Sequence, residues 1–316
     1  MRILFAGTPE IAVPSLKAAA RHFEVAGVLT NPDRPKGRGK GIAASPVKQA
    51  AIELGIPVLQ FPTLKREARE AVSALGADIL VVFAYGRIFG PKFLSLFPKG
   101  GVNVHPSLLP RHRGCAPIQA AMLAGDRETG ITIQRIALEM DTGDIILQRA
   151  YEIGEQETAA DVSERFSHEG ASLLVEALEL IQSGREEPVK QDESRACYCM
   201  TIRKEHGGIC WEQPADQIVR MIRAFSPWPK AYTWWGGKKV MITAAAADME
   251  YPAGQNPPGT VIAAVPGRGI AAAAGCGAVI IQQLQLETKR AADWKSFLNG
   301  NPAFIGSRLC SPTERT

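Results

Sequence analysis

Residues 78–84 read Asp-Ile-Leu-Val-Val-Phe-Ala, a run that is apolar from its second residue to its end. A strand buried on one face alternates apolar and polar residues, whereas a strand buried on both faces reads as a continuous apolar run. The run therefore predicts a central strand of a parallel sheet. Arg2–Gly7 and residues 25–30 are further short apolar runs, and they predict two neighbouring strands.

Helix signals separate these strands along the first half of the chain. Ser45-Pro46 supplies a capping residue and a first-turn proline for a helix that ends at Gly55. The other predicted elements are helices at residues 14–20, 64–75 and 91–96, and strands at residues 57–60 and 101–105. This alternation predicts an α/β domain with a doubly wound parallel sheet, which binds ligands at the carboxyl ends of its strands.

The strand predicted at residues 101–105 ends in Asn103-Val-His105, and strand alternation places the amide and the imidazole on one face. Asp141-Thr-Gly-Asp144 follows a later hydrophobic run and supplies a carboxylate that can orient an imidazole or raise its basicity. A lone histidine at a strand end is more often structural than catalytic. An amide, an imidazole and a carboxylate together suffice for acyl-type chemistry, so we predict an active site here.

Two further motifs follow the histidine, Ser107-Leu-Leu-Pro110 and Arg111-His-Arg-Gly114. In combination with Asn-x-His and Asp-x-Gly-Asp, they resemble the folate-dependent formyltransferases. The resemblance implies a Rossmann-like catalytic domain of the formyltransferase fold. It also implies that Asn103 and His105 stabilise a developing oxyanion, and that Asp141 holds His105 and relays the proton of the attacking amine.

The resemblance further implies 10-formyltetrahydrofolate as co-substrate and no metal. The implied folate-binding residues are Ser107, Leu108, Leu109 and Pro110 of the turn, Phe83, Tyr85 and Gly86 after the central strand, and Asp144. Residues 83–88 also fit an ordinary strand-to-helix turn. Gly7-Thr-Pro-Glu10 follows the first strand without a Gly-x-Gly-x-x-Gly motif, so nicotinamide binding is not expected.

Residues 31–41 read Asn-Pro-Asp-Arg-Pro-Lys-Gly-Arg-Gly-Lys-Gly, with Arg34, Lys36, Arg38 and Lys40 spaced two apart. The interleaved glycines and prolines predict neither a regular helix nor a strand. Such a loop suits contacts with nucleic-acid phosphates, although short basic loops are also common on solvated surfaces. It resembles the acceptor-stem loop of family members that act on tRNA, which implies initiator methionyl-tRNA as the formyl acceptor.

The 316-residue length predicts more than one domain. We assign residues 1–188 to the catalytic domain, residues 189–208 to a linker, and residues 209–316 to a second domain. That domain has a predicted helix at residues 214–225 and strands at 231–235, 239–243, 259–265, 269–273 and 278–286. Short strands between glycine turns favour a small barrel of the oligonucleotide-binding type, and the resemblance implies a C-terminal, tRNA-binding, OB-like barrel.

Charge and aromatic residues of the second half are compatible with this assignment. Residues 189–316 carry 15 Lys and Arg against 10 Asp and Glu, a surplus that suits a polyanionic partner but is also typical of solvated surface. We expect core packing for most of the group Trp228, Tyr232, Trp234 and Trp235.

Some residues depart from the family pattern. His112 stands where a bulkier ring is usual, and we expect it to affect surface contacts rather than chemistry. Cys197, Cys199, His206 and Cys210 could hold zinc, but a one-residue gap between the first two thiols is poor geometry for a structural site. We interpret them as free cysteines, in keeping with six cysteines that have no repeated spacing.

No apolar run of about 18 residues could span a bilayer, and the chain enters a strand directly, so we expect a cytoplasmic monomer without membrane or DNA partners. Two alternatives stay open. One is a formyltransferase acting on glycinamide ribonucleotide or an amino sugar nucleotide, which would not need the basic loop and the barrel. The other is a non-catalytic RNA-binding protein, which would have no reason to assemble Asn103, His105 and Asp141.

Overall fold

The computed structural model describes residues 1–36 and 41–311, and the chain divides into two compact units. The first unit contains Met1–Pro117, Glu128–Glu152 and Val162–Met200. The second contains Ile118–Arg127, Ile153–Asp161 and Thr201–Thr316. Residues 189–200, which the sequence assigns to a linker, lie in the first unit; the boundaries at residues 188 and 208 stay a prediction.

The strands of the first unit are β1 (Arg2–Gly7), β2 (Glu24–Leu29), β3 (Arg34–Lys36), β4 (Gly41–Ala43), β5 (Val58–Leu59), β6 (Ile79–Phe83), β7 (Gly101–His105), β8 (Arg113–Gly114), β9 (Glu128–Arg135), β10 (Ile145–Glu152) and β11 (Tyr198–Cys199). Seven of them form one sheet in the order β10-β9-β7-β6-β1-β2-β5. Neighbours from β7 to β5 are parallel, and β9 and β10 add an antiparallel edge. All five residues of β6 are buried between β1 and β7, which confirms the predicted central strand.

The helices α1 to α6 are Val13–His22, Pro46–Glu53, Arg66–Ala74, Pro91–Leu94, Pro117–Ala124 and Ala159–Ser183. The hydroxyl of Ser45 accepts the backbone N–H of Lys48 and caps α2, as the sequence predicts. Val72 of α3 and Phe93 of α4 share one apolar core with Leu4 of β1. On the opposite face of the sheet, Gly170 of α6 lies against β6 and β7. The sheet is therefore doubly wound.

The prediction that residues 31–41 form no regular strand is wrong for β3, which pairs antiparallel with β4. Pro35 is tolerated because a two-stranded ribbon has an open edge at which a missing donor costs no ladder hydrogen bond. Arg34 and Lys36 lie on β3. Arg38 and Lys40 lie outside the described residues.

The second unit contains β12 (Ala231–Trp235), β13 (Lys238–Asp248), β14 (Val261–Val265), β15 (Gly269–Ala273), β16 (Ala278–Leu286), β17 (Ala292–Asp293), α7 (Ala215–Ala224) and α8 (Trp294–Gly300). The strands form an antiparallel sheet in the order β12-β13-β16-β15-β14, with β17 beside β16. Near its C-terminal end the chain joins both ends of this sheet, since Cys310 pairs with Trp234 and Arg308 pairs with Thr260, just before β14. The domain is therefore barrel-like, as predicted.

The aromatic residues of the second unit divide between core and surface. Trp235 packs edge-on against Phe304, with ring centroids 5.1 Å apart, and Tyr232 meets Trp234 at 6.5 Å. Trp228 is 50% exposed and does not follow the expectation of core packing. Among the described residues, no helix has the length and apolarity needed to cross a membrane.

Candidate active site

Asn103 and His105 lie at the carboxyl end of β7, and Asp141 reaches them from the loop between β9 and β10. Nδ2 of Asn103 is 3.3 Å from Oδ1 of Asp141. Nδ1 of His105 is 3.6 Å from the same oxygen, and the two side chains are only 4% and 11% exposed. The structure thus brings the three predicted catalytic residues around one carboxylate oxygen.

The carboxylate of Asp141 is fixed by neutral donors. Its Oδ1 also accepts an amide N–H from Gln134 at 2.8 Å, and its Oδ2 accepts the backbone N–H of Gly114 at 2.9 Å. The residue itself has a φ of 57°, a left-handed conformation that is uncommon outside glycine. Asp141 is therefore held in place mainly by groups other than His105.

Gln134 lies in the candidate site, and sequence-based prediction misses it. The pairing of β7 with β9 places it directly opposite Asn103, and places Thr132 opposite His105. The available signal was the alternation of Thr132 and Gln134 with isoleucines in residues 131–134, which marks one polar face on an apolar strand. Both polar residues are buried.

The imidazole of His105 lies between two acceptors. Its Nε2 is 3.0 Å from the backbone oxygen of His112, so this nitrogen carries a proton and donates it. Burial lowers the pKa of His105, while the Asp141 carboxylate and the His112 carbonyl act in the opposite direction. The neutral ring presents the lone pair of Nδ1 to Asp141, which accords with a separation longer than a hydrogen bond.

The expectation that His112 affects surface contacts is wrong. Its side chain is buried, and its backbone adopts a φ of 58°. This turn directs the His112 carbonyl at His105, and the backbone N–H of His112 at Sγ of Cys197, 3.2 Å away. His112 therefore contributes its backbone to the site.

Side chains of β9 and β10 hold the turn at residues 107–110 by hydrogen bonds to its backbone. The Ser107 hydroxyl donates to the Arg111 carbonyl at 2.7 Å. Oγ1 of Thr132 donates to the Ser107 carbonyl at 2.7 Å, and Gln148 on β10 donates to the Leu109 carbonyl at 3.0 Å. Ser107, Leu109 and Pro110 are buried, and Leu108 is the partly exposed member of the turn.

The loop after β6 buries its aromatic side chains and exposes its backbone. Phe83 and Tyr85 are buried, and Tyr85 stacks on the ring of Phe89 at 5.3 Å. Ala84 and Gly86 are exposed and have left-handed φ values of 51° and 78°. A Cβ added at Gly86 would meet nothing within 4 Å, so the main chain there borders open space.

The base of the basic loop is anchored beside this turn. The Asn31 amide donates to the Tyr85 carbonyl at 2.7 Å and to the Thr8 hydroxyl at 2.9 Å. Asp33 pairs with Lys48 at 2.6 Å, and this bond lowers the pKa of Asp33. The segment that carries Arg34 and Lys36 therefore starts at the same edge of the sheet as the site.

The segment expected to be a linker packs against the active-site loop. β11 pairs with β8, and the buried guanidinium of Arg113 contacts both carboxylate oxygens of Glu193 at 2.6 and 2.9 Å. These hydrogen bonds raise the pKa of Arg113. Gln191 donates to the backbone oxygens of Asp141 and Gly143 at 2.9 and 2.7 Å. Asp144, in the same loop, is half-buried, and its carbonyl accepts a backbone N–H from β9.

The cysteines are free thiols. Sγ of Cys199 lies 3.7 Å from the His112 carbonyl and 3.3 Å from the backbone nitrogen of Ala116. Burial raises the pKa of Cys199. Within residues 1–36 and 41–311, Cys197, Cys199, His206 and Cys210 do not converge into a metal-binding cluster.

Comparison with known proteins places the chain among formyltransferases. A family profile described as formyl transferase matches residues 1–178, and one described as formyl transferase, C-terminal domain, matches residues 201–302. The methionyl-tRNA formyltransferase of Methylococcus capsulatus is 45% identical over 98% of this chain and 99% of its own length. That of Treponema denticola is 40% identical over 96% and 98%.

Among solved structures, the N-formyltransferase from Helicobacter canadensis has the same fold, with a TM-score of 0.66 and 22% identity over 88% of this chain and 97% of that one. The chain belongs to the formyl transferase family.

Proposed function

We propose that this chain transfers the formyl group of 10-formyltetrahydrofolate to the α-amine of methionyl-tRNA. The observation that carries the proposal is the convergence of Asn103 and His105 on one oxygen of Asp141. Relatives named methionyl-tRNA formyltransferase span nearly all of the chain, including the barrel-like unit, and this coverage supports the choice of acceptor.

The amide of Asn103 is the oxyanion donor in this reaction. The unprotonated amine attacks the formyl carbon, a C–N bond forms, and the bond from that carbon to N10 of the folate breaks through a tetrahedral intermediate. Nδ2 of Asn103 carries two hydrogens and directs one at Asp141, which leaves the other for the oxyanion. A preorganised donor of this kind typically lowers the barrier by about 2.7–4 kcal/mol.

Asp141 and His105 accept the proton of the attacking amine and return it to the leaving nitrogen. The amine loses one proton in the transfer and the leaving nitrogen gains one, so a single acceptor that returns the proton balances the reaction. Asp141 takes the proton, and Nδ1 of neutral His105, 3.6 Å from Oδ1, shares it. The His112 carbonyl keeps the other ring nitrogen protonated throughout.

The donor side fits a folate. A pterin needs backbone donors and acceptors beside an apolar slot. The exposed main chain at Ala84 and Gly86 borders open space, and Ile88, 76% exposed, and the partly exposed Leu108 supply apolar surface. The buried side chains of Phe83 and Tyr85 support this loop from the core. When bound, the folate supplies the formyl group at N10.

The proposed binding of the formyl acceptor, a tRNA, depends on basic side chains. Arg34, Lys36, Arg38 and Lys40 would contact tRNA phosphates, which position a nucleic acid without reading its bases. The anchoring of Asn31 on the loop after β6 keeps the start of this segment beside the site.

The test is formyl transfer from radiolabelled 10-formyltetrahydrofolate to charged initiator methionyl-tRNA, run beside glycinamide ribonucleotide, with His105→Ala as control. We expect transfer to the tRNA alone and its loss in the variant. Arg38→Ala should raise the KM for tRNA and reduce the slope of log KM against log salt by about 0.9, with kcat retained. Transfer to the small nucleotide alone, or binding of tRNA without transfer, would refute the proposal.

A further inference from the structure

A line of hydrogen bonds with a fixed direction runs from Arg113 to Asp141. The guanidinium of Arg113 can only donate, and its Nε and Nη2 lie 3.0 and 2.8 Å from Oε1 of Gln191. The oxygen of the Gln191 amide must therefore face Arg113, and its Nε2 must face the other way.

The orientation of the Gln191 amide in turn fixes the orientation of the Gln134 amide. Nε2 of Gln191 lies 2.9 and 2.7 Å from the backbone oxygens of Asp141 and Gly143, and 3.3 Å from Oε1 of Gln134. All three partners are acceptors. The oxygen of the Gln134 amide is thereby held towards Gln191, and its Nε2 towards Oδ1 of Asp141 at 2.8 Å.

The opposite orientation of Gln134 would place its oxygen against the carboxylate. Gln134 is 2% exposed, so water has little access to replace a missing donor, and an unsatisfied buried acceptor is costly. Its register opposite Asn103 fixes its backbone in the sheet. The amide is thus constrained at both ends to donate to Asp141.

We propose that Gln134 is a positioning residue for formyl transfer, and that Arg113 acts through Gln191 to set the direction in which it donates. The inference rests on the proposed function. Without the Gln134 donor, Oδ1 of Asp141 keeps Asn103 as its amide partner, and Asn103 is then drawn towards the carboxylate and away from the oxyanion. The role is to hold Asp141 so that one N–H of Asn103 stays available.

The first test compares Gln134→Met with Thr129→Val in the full chain. Methionine matches glutamine in length without donating, and Thr129 is a buried residue at the far end of β9 whose hydroxyl has no hydrogen-bond partner among the residues that the structure describes. We expect Gln134→Met to lower kcat about tenfold or more, as fits the loss of a hydrogen bond to a charged group. KM should hold, the loss of kcat should persist well below the thermal midpoint, where the variant stays folded, and Thr129→Val should match wild type.

The second test uses Gln134→Glu, which places a carboxyl group beside Asp141. A protonated glutamic acid can donate to Oδ1 of Asp141 as the Gln134 amide does, whereas the ionised form cannot donate and repels the carboxylate. The ratio of variant to wild-type kcat should therefore fall severalfold from mildly acidic to alkaline pH. Titration of the acceptor amine cancels in this ratio, and a purely structural defect would leave the ratio flat.

The outcomes separate the two proposals. An inactive wild-type protein would overturn the proposed function and this inference with it. An active wild type with Gln134→Met at full kcat would overturn this inference alone. So would a loss of kcat that tracks a loss of thermal stability, or a ratio for Gln134→Glu that does not change with pH.

Discussion

Replacing Asn103 with alanine tests its proposed role as the oxyanion donor, and the structure indicates at which step the effect should appear. The bond from Asn103 to Asp141 is long, at 3.3 Å, while Gln134 and the Gly114 N–H bind the carboxylate at 2.8 and 2.9 Å. Asp141 therefore keeps its position in the variant, and the loss is confined to the transition state. We expect kcat to fall roughly 10²–10³-fold, with KM unchanged.

The assay is single-turnover formyl transfer at saturating concentrations of both substrates. Asn301→Ala is the matched control, because it also removes an asparagine amide that donates one hydrogen bond, in this case to the backbone carbonyl of Phe297 in the second unit. The free energy of unfolding of Asn103→Ala should change by less than about 1.5 kcal/mol, since Asp141 stays satisfied. A fall in kcat of less than about tenfold, or a change confined to KM, would refute the assignment of Asn103 as oxyanion donor.

Four other perturbations test the surroundings of the site. Gly143→Ala should abolish transfer in a protein with a wild-type circular dichroism spectrum, because a Cβ there would overlap the backbone oxygen of Arg135 and displace the Asp141 loop. Arg113→Lys should lower the free energy of unfolding by about 1–3 kcal/mol in urea titrations, since a point charge cannot replace the fork that spans Gln191 and Glu193. Because burial lowers the pKa of His105, the ring takes up a proton below a pH of about 6.5 in the unfolded chain but stays neutral in the native one. The free energy of unfolding, measured by urea titration, should therefore decrease as the pH drops below that value, and the decrease should be less steep in His105→Gln. Iodoacetamide at mildly alkaline pH should label exposed Cys115 before Cys199, whose pKa burial raises, as peptide mass spectrometry would report.

The parts of the fold that follow from the sequence are those specified by local pattern. The continuous apolar run of β6 predicts a strand buried on both faces, and the Ser45-Pro46 pair predicts the start of α2. The alternation Asn103-Val-His105 predicts two side chains on one face. Each of these inferences needs only neighbours in the sequence.

The contribution of Gln134 could not be predicted in this way, because it depends on register between strands that are distant in sequence. β9 joins β7 in antiparallel pairing, and that register alone sets Gln134 opposite Asn103. A polar residue on an apolar strand more often indicates a solvent-facing side. Here the polar face is covered by the Asp141 loop and by Gln191.

Composition misleads where a polar group is buried with its partners. Arg113 is charged and lies in a polar segment, yet it is fully buried, because Gln191 and Glu193, 78 and 80 residues away in sequence, satisfy its donors. The same pairing orders residues of the segment that composition assigns to a linker. Contacts between residues so far apart in sequence leave no local sequence pattern from which they could be predicted.

The neutral surroundings of Asp141 bear on how the chemistry is divided. Its donors are the Gln134 and Asn103 amides and a backbone N–H, and burial disfavours the charged form of His105, so the cluster holds the single negative charge of the carboxylate. In the proposed mechanism Asp141 takes the proton of the attacking amine, so that charge is removed from a largely buried position and reappears on the oxyanion. Both positions adjoin the two hydrogens of one Asn103 amide. The reaction therefore moves one negative charge across a fixed set of donors, and it needs no new buried charge, whose cost would be added to the barrier.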